Sequence, residues 1–268
     1  DSLKSLPPGG IWWTNNPSGG NWSRNRGSML AHVLPYMEQK SVYDAFDVGI
    51  PFAYQQFATP PSGEPPYIAG TKLAAYRCPT DDAPERNDQT INGITEGNLA
   101  LFSYAASKGP TRTGNNPAGS CPERAVWITY ALSTNDSKPA GCLTRLGRNY
   151  CAKFRDVKDG LSNTIFVGEV RGDCALTIQR GWAHPSCGQG MISTIYPMNY
   201  ATCNKNQSAG PCHWYNNWST EFAFKSLHPG GVNFLFGDGS VHFLPETIDH
   251  WTYQYLGAKK DGEPVAIP

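Results

Sequence analysis

The chain contains six histidines, and no two of them lie within one helical turn of each other. They are His32, His184, His213, His228, His242 and His250. A zinc site built from them would therefore need a tertiary contact rather than a local motif. The sequence also lacks the G-x-S-x-G elbow, the G-x-x-x-x-G-K-[ST] loop, the H-E-x-x-H pair and the G-x-G-x-x-G fingerprint. We expect no catalytic residues and no enzymatic activity.

Asp156, Asp159 and Asn163 place side-chain oxygens in one glycine-containing loop. Carboxylate and amide oxygens are the ligands that calcium prefers, although the spacing departs from that of an EF-hand loop. The alternative is an Asx-type turn, in which Asp159 and Asn163 hydrogen-bond their own backbone before a strand. We expect the turn, with calcium kept open as an alternative and no other cofactor.

The chain has eight cysteines and no C-x-x-C pair, so disulfides are a better interpretation than a zinc or redox site. The cysteines are Cys78, Cys121, Cys142, Cys151, Cys174, Cys187, Cys203 and Cys212. We predict four intramolecular disulfides. Eight cysteines allow 105 connectivities, so the pairing stays open, and Cys203/Cys212, Cys174/Cys187 and Cys142/Cys151 are pairs that could close short polar loops. Disulfides persist in oxidising compartments, which favours an extracellular, cell-surface or periplasmic location.

Aromatic residues cluster in polar surroundings, at Trp12 and Trp13 and again at Trp214, Tyr215 and Trp218. Exposed flat rings of this kind stack on sugars, which would make the clusters ligand-binding sites. Large aromatic side chains more often cover a hydrophobic core beneath long loops. We favour packing on the core and keep ligand binding as the alternative.

Composition limits the class of protein. The 268 residues include 22 Lys and Arg against 22 Asp and Glu, so the formal net charge is zero. Nucleic-acid binding requires a surplus of positive charge, which is absent. No apolar run is long enough to span a bilayer. We predict a single loop-rich domain over residues 1–268, with 171–220 as a cysteine-bearing insertion.

The element pattern favours an α+β fold. Apolar residues recur at helical spacing from Pro35 to Phe46, which predicts a helix. Short strands are expected at Lys72 to Cys78, at Val126 to Leu132 and at Ile165 to Val170.

A β-hairpin over residues 232–244 is the strongest local prediction, with Asp238 and Gly239 as its two turn residues. That turn pairs Phe236 with Val241 and Phe234 with Phe243. One face of the hairpin would then be buried. The residues on this face are Val232, Phe234, Phe236, Val241 and Phe243.

Six motifs, in order along the chain, resemble those of one family, and they extend from residue 6 to residue 249. They are Leu6-Pro7-Pro8-Gly9-Gly10, His32-Val33-Leu34-Pro35-Tyr36-Met37-Glu38-Gln39 with Tyr43-Asp44-Ala45-Phe46, Tyr76-Arg77-Cys78-Pro79-Thr80-Asp81, Ser103-Tyr104-Ala105-Ala106, Asp159-Gly160-Leu161-Ser162-Asn163-Thr164 with Gly168-Glu169, and His228-Pro229-Gly230-Gly231 ending at Asp238-Gly239. The chain resembles the large pilin-like family, abundant in planctomycetes, that carries a prepilin-type N-terminal segment and a C-terminal H-x9-D-G signature.

The resemblance implies a pilin-like antiparallel sheet packed on an N-terminal helical layer. It also implies a structural, non-enzymatic subunit of an extracellular or periplasmic pilus- or pseudopilus-like fibre. Such a fibre is homo-oligomeric and assembles through a long apolar helix. That helix is missing here and is expected before residue 1. It would be the sole membrane contact of the protein. The alternative function is a carbohydrate or small-solute binding module, with polysaccharide as a partner; nucleic acid is not expected.

The signature residues are expected to be structural. They are Asp159, Gly160, Asn163, Glu169, His228, Asp238 and Gly239. A strand from Gly231 to Asp238 extends roughly 20 Å, so His228 and Asp238 should lie at opposite ends of it. We therefore expect His228 to hydrogen-bond the loop that enters the strand, and Asp238 and Gly239 to supply positive φ angles in the turn.

Overall fold

Four antiparallel strands form one sheet, in the order in which they occur along the chain. They are β1 (Tyr104–Ala106), β2 (Ile165–Glu169), β3 (Gly231–Phe236) and β4 (Val241–Pro245). The α-helices are α1 (Met29–Val33), α2 (Lys40–Asp44), α3 (Glu123–Trp127) and α4 (His250–Gly257). The computed structural model describes residues 5–11, 25–112, 121–134, 138–144, 151–185, 192–206, 210–218 and 220–268. The predicted α+β class is confirmed.

The single helix expected from Pro35 to Phe46 is wrong, because the segment holds the end of a 3-10 turn that continues α1, and then the separate helix α2. α1 begins after Ser28, whose side chain accepts a hydrogen bond from the Ala31 amide. It continues as a 3-10 turn to Tyr36, and Glu38 then takes a φ of 58°. The Gln39 amide donates to the Leu34 carbonyl at 3.1 Å, which is the Schellman ending of a helix. α2 starts afresh at Lys40.

Two predicted strands are helical turns instead. Residues 74–76 form a 3-10 helix, and α3 continues as a 3-10 helix through residues 128–130. In the second segment Trp127 packs edge-on against Tyr196 and Tyr200, with ring centroids 6.1 Å and 4.6 Å apart. This tertiary packing overrides the β-propensity of a short apolar run.

The hairpin forms as predicted on β3, but β4 is shifted by one residue. Leu235 pairs with Val241, and the Phe236 amide bonds the Ser240 carbonyl at 2.9 Å, which leaves a three-residue loop. Of the two expected turn residues, only Gly239 has a positive φ, at 91°. A one-residue slip moves side chains to the opposite face. Val241 (65% exposed) and Phe243 (44% exposed) therefore leave the core face, and Leu244 is buried there instead.

The core face of the sheet is covered by rings from other segments. Phe234 lies 5.0 Å from the Phe224 ring and 6.0 Å from the Tyr253 ring of α4, measured between centroids. The 171–220 segment contributes to the same core, since Trp182 and Tyr196 are fully buried in it. The opposite face of the sheet carries the side chains that β4 turns outward.

Four disulfides were predicted; the described residues form two, and neither closes a short loop. Cys121 bonds Cys212, and Cys174 bonds Cys203. The expected pairs Cys203/Cys212 and Cys174/Cys187 are therefore wrong. Cys78 and Cys142 are buried free thiols, which also excludes Cys142/Cys151. Cys151 is exposed and belongs to neither disulfide, and Cys187 lies outside the described residues. Short sequence spacing did not determine the pairing because the folded chain brings distant segments together.

Candidate functional site

A groove with a volume of about 830 Å³ separates α1 from the outward face of the sheet. Its floor is formed by Val167 of β2, Leu235 of β3 and Val241 of β4. Its far wall includes Leu6, Pro7, Met29, Leu30, Val33 and Met37. The shifted register of β4 creates this floor, because it places Val241 beside Leu235 on the outward face. The groove is therefore an apolar surface next to the first motif of the chain.

Three side chains with different chemistry meet at one end of the groove. The Nε2 atom of His228 lies 3.3 Å from Oε1 of Glu169 and 3.7 Å from Sγ of Cys78. One donor atom from each of the three residues lies within 4.8 Å of the other two. Glu169 is 3% exposed and Cys78 is 9% exposed, so two ionisable groups are held away from solvent. We call these three residues the CEH cluster.

A tight loop positions Cys78. The Asp81 amide donates to the Cys78 carbonyl at 3.0 Å, and the Arg77 guanidinium donates to the Ala83 carbonyl at 2.7 Å. Asp81 in turn accepts a hydrogen bond from the Ser103 hydroxyl at 2.7 Å. The Thr80 hydroxyl lies 3.1 Å from the Cys78 sulfur. The loop therefore fixes the thiol against the end of the sheet.

Glu169 is the last residue of β2 and is the register partner of Tyr104 on β1. Its Oε2 accepts a hydrogen bond from the Asn233 amide at 2.8 Å, which directs Oε1 towards His228. Burial, reinforced by Cys78 and Glu169, raises the pKa of Tyr104 to about 12. This hydroxyl is therefore neutral at physiological pH and is available as a donor.

His228 begins the turn that leads into β3. The Gly231 amide donates to the His228 carbonyl at 3.5 Å, and Gly230 has a φ of 78°. Proline followed by a positive-φ glycine is the preferred centre of a type II turn. The expected role of the ring, bonding the entering loop, is wrong because the ring contacts Glu169 and Cys78.

Asp238 lies in the hairpin loop and contacts a different set of atoms. It accepts hydrogen bonds from the Ser240 hydroxyl at 2.6 Å and from the Ser240 amide at 2.9 Å. These two bonds hold the pKa of the Asp238 carboxyl below its usual value. Asp238 is therefore a turn residue here, and His228 belongs to the CEH cluster.

The candidate calcium ligands are all hydrogen-bonded to backbone. Asp156 accepts from the Lys153 amide at 2.9 Å, and Asn163 donates to the Asp159 carbonyl at 3.0 Å. Asp159 accepts from the amides of residues 261 and 262 at 2.8 Å and 3.0 Å, rather than from its own turn. Gly160 has a φ of 97° between them. The loop thus holds the C-terminal segment against β2.

The aromatic cluster at residues 214–218 packs inward. Tyr215 is buried, and Trp218 packs edge-on against Phe222 with ring centroids 5.3 Å apart. Trp214 is half-buried and lies 6.4 Å from the Tyr215 ring. These rings do not form an open platform for a sugar. Trp12 and Trp13 lie outside the described residues.

Sequence reasoning identified the three residues of the CEH cluster but not their association. Cys78 was interpreted as a disulfide cysteine, and Glu169 and His228 as structural residues. One sequence feature could have pointed to the cluster. Each of the three residues belongs to a different motif shared with the family that the chain resembles, at residues 76–81, 168–169 and 228–231. Only the fold shows that these three motifs meet.

The fold and groove define an α+β protein with an apolar cleft on one sheet face. Within the described residues, no helix combines the length and hydrophobicity needed to cross a membrane. The chain belongs to the family described as a protein of unknown function (DUF1559), whose model, SBP_bac_10, matches residues 1–250. No curated protein and no solved structure matches the chain.

Proposed function

We propose that this protein is a structural, non-enzymatic subunit of a pilus- or pseudopilus-like fibre outside the cytoplasm. The observation that carries the proposal is the apolar groove on the outward face of the sheet. The proposed occupant is a long apolar helix that precedes the present sequence in the full-length protein. This helix would hold the subunit in the membrane before assembly and contact other copies afterwards.

The groove suits a helix because its floor and rim remain partly exposed. Leu235, Val241 and Met37 line the groove and are large apolar side chains with open surface. Burial of one such side chain contributes about 1.5–3 kcal/mol. Several of them in one groove therefore favour a covering apolar element. Exposed apolar patches of this kind mark interaction surfaces.

The position of the N-terminal segment supports the same occupant. Leu6 and Pro7 line the groove, and the Leu6 amide is fixed by a 2.8 Å bond to the Ala152 carbonyl. The described chain therefore begins beside the groove, where a preceding helix would be attached. The two disulfides support export, since such bonds persist in oxidising compartments.

The test compares full-length variants in cells that produce the fibre. Val241→Asp places a charge on the groove floor, whereas Val126→Asp changes an equally accessible valine on α3 that is absent from the groove lining. We expect Val241→Asp to abolish recovery of the protein in sheared surface fibres, and Val126→Asp to leave it unchanged. Circular dichroism of both purified domains verifies folding. Normal fibre incorporation of Val241→Asp would contradict the proposal.

A small-solute binding function in the same groove is the second candidate. Ligand pockets usually measure about 300–1,000 Å³ and are mainly apolar with a few polar groups, and the groove fits that description. An apolar solute retained in native mass spectra and lost in Leu235→Asp would support it. The carbohydrate version requires glycan-array binding that is lost in Trp214→Ala or Trp218→Ala, and these rings are not openly exposed.

A further inference from the structure

We propose that the CEH cluster is a three-ligand site for a zinc-type divalent cation. The ligands would be Sγ of Cys78, Nε2 of His228 and a carboxylate oxygen of Glu169. The fourth coordination position would face the groove, since all three residues line it. Three protein ligands and one open position are typical of zinc sites that exchange a bound water or ligand.

The interatomic distances match the edges of a tetrahedron around zinc. Bond lengths of about 2.3 Å to sulfur and about 2.0 Å to nitrogen or oxygen imply edges of about 3.6 Å for S···N and about 3.3 Å for N···O. The observed separations are 3.7 Å between Cys78 Sγ and His228 Nε2, and 3.3 Å between His228 Nε2 and Glu169 Oε1. The third pair, Cys78 Sγ and the Glu169 carboxylate, lies within 4.8 Å, so a side-chain adjustment would bring all three donors onto one cation.

The use of a single imidazole nitrogen argues against a nucleophilic cysteine. In a catalytic triad, one ring nitrogen faces the nucleophile and the other faces the carboxylate. Here both Cys78 and Glu169 lie beside Nε2. Convergence of three donors on one point is the arrangement of metal ligands. This arrangement leaves no proton relay from Glu169 through the His228 ring to the Cys78 thiol.

The donor types select the metal. A thiolate, an imidazole and a carboxylate suit zinc, whereas calcium and magnesium prefer oxygen ligands alone. One thiolate and one carboxylate would also neutralise a divalent cation, which lowers the cost of keeping Glu169 and Cys78 buried. The hydrogen bond from the Asn233 amide to Glu169 and the 3.1 Å contact between the Thr80 hydroxyl and the Cys78 sulfur would orient the ligands from outside.

A second cluster of potential ligands, Asp173, Cys174 and Cys203, does not compete. Both of its sulfurs are joined in a disulfide, so neither is a thiolate. Of the two clusters of potential metal ligands among the described residues, the CEH cluster is thus the one that contains a free thiol.

The experiment loads chelator-treated, purified protein with cobalt(II) and then with zinc(II). Cobalt bound by a thiolate gives a charge-transfer band in the near ultraviolet, and zinc should displace it at one equivalent per chain. We expect Cys78→Ser to lose the band, and His228→Gln and Glu169→Gln to weaken zinc binding at least tenfold, because even the loss of an outer-shell partner of a ligand typically costs about 10–100-fold in affinity. The matched control is Cys142→Ser, because burial raises the pKa of Cys142 to about 12 and keeps this second thiol protonated.

A measurement on the unmodified protein covers the case in which a variant fails to fold. X-ray absorption of the zinc-loaded protein should show one sulfur and two or three nitrogen or oxygen neighbours. A shell without sulfur, absence of stoichiometric binding, or a cobalt band that persists in Cys78→Ser would overturn the proposal. These assays measure metal binding by the purified chain, so their outcome is independent of fibre assembly.

Discussion

Gly168 of β2 and Phe234 of β3 are register partners, and the Phe234 ring fills the space that a side chain on Gly168 would need. A Cβ atom at Gly168 would lie 2.5 Å from Cε1 of Phe234 and 2.5 Å from Cδ1 of Phe224. Both rings are fully buried. The absence of a side chain at this position therefore allows the core to close directly before Glu169.

We expect Gly168→Ala to lower the free energy of unfolding by about 1–3 kcal/mol, the usual cost of overpacking a core. The control is Gly49→Ala, whose new Cβ would meet the exposed Asp47 carboxylate alone. Urea denaturation of both variants measures the difference. Equal stability of Gly168→Ala and the wild type would show that the two rings can move apart freely.

Gly239→Val tests the hairpin loop. The φ of Gly239 is 91° and no atom lies within 4 Å of the added Cβ, so the cost is conformational rather than steric. Left-handed backbone costs an L-residue about 1–2 kcal/mol, and more when the side chain is β-branched. We expect Gly239→Val to lower the melting temperature and Gly239→Asn to lower it less, because asparagine tolerates this region. A larger loss in Gly239→Asn would contradict this account.

The sequence predicted those elements whose signals are local. β2 and β3 follow from short apolar runs that are buried in the fold, and the hairpin follows from Asp238-Gly239. The register of β4 could not be predicted in this way, because an Asp-Gly pair fits both a two-residue and a three-residue loop. α4 was not predicted, although Asp249 caps it by accepting from the Thr252 amide at 2.8 Å.

The candidate site lies beyond what local signals can determine. Cys78 and His228 are 150 residues apart, and their contact depends on the loop after residue 76 meeting the turn before β3. The disulfides illustrate the same limit, since an even count of cysteines predicted complete pairing. Burial of Cys78 and Cys142 as thiols is a property of the folded chain alone.

The two disulfides should differ in their contribution to stability. Cys121–Cys212 closes 91 residues and Cys174–Cys203 closes 29. Loop-closure entropy assigns them about 4.6 and about 3.6 kcal/mol. We therefore expect Cys121→Ala/Cys212→Ala to be less stable than Cys174→Ala/Cys203→Ala by about 1 kcal/mol in denaturation. Thiol titration of the unfolded, unreduced wild type should find at least two free thiols; none would contradict the assignment.

Acid should destabilise the fold through its buried histidines. Burial lowers the pKa of His184 well below its ordinary value, and burial also lowers the pKa of His32 and of His250. Below about pH 6.5 the unfolded chain binds more protons than the folded one, so stability falls as the pH falls. Each such histidine contributes up to about 1.4 kcal/mol per pH unit.

His184→Gln should reduce this slope by one histidine. The measurement is the free energy of unfolding between pH 4 and pH 7. An unchanged slope in His184→Gln would show that its ring is protonated in the folded state.

The Cys174–Cys203 bond lies wholly inside the segment closed by Cys121–Cys212. The covalent chain therefore contains a smaller disulfide-closed loop inside a larger one. Neither closure requires one chain segment to thread through the other. Either bond can form first during oxidation. A protease that cuts once anywhere between residues 121 and 212 releases no fragment, so the nick becomes visible on a gel only after reduction.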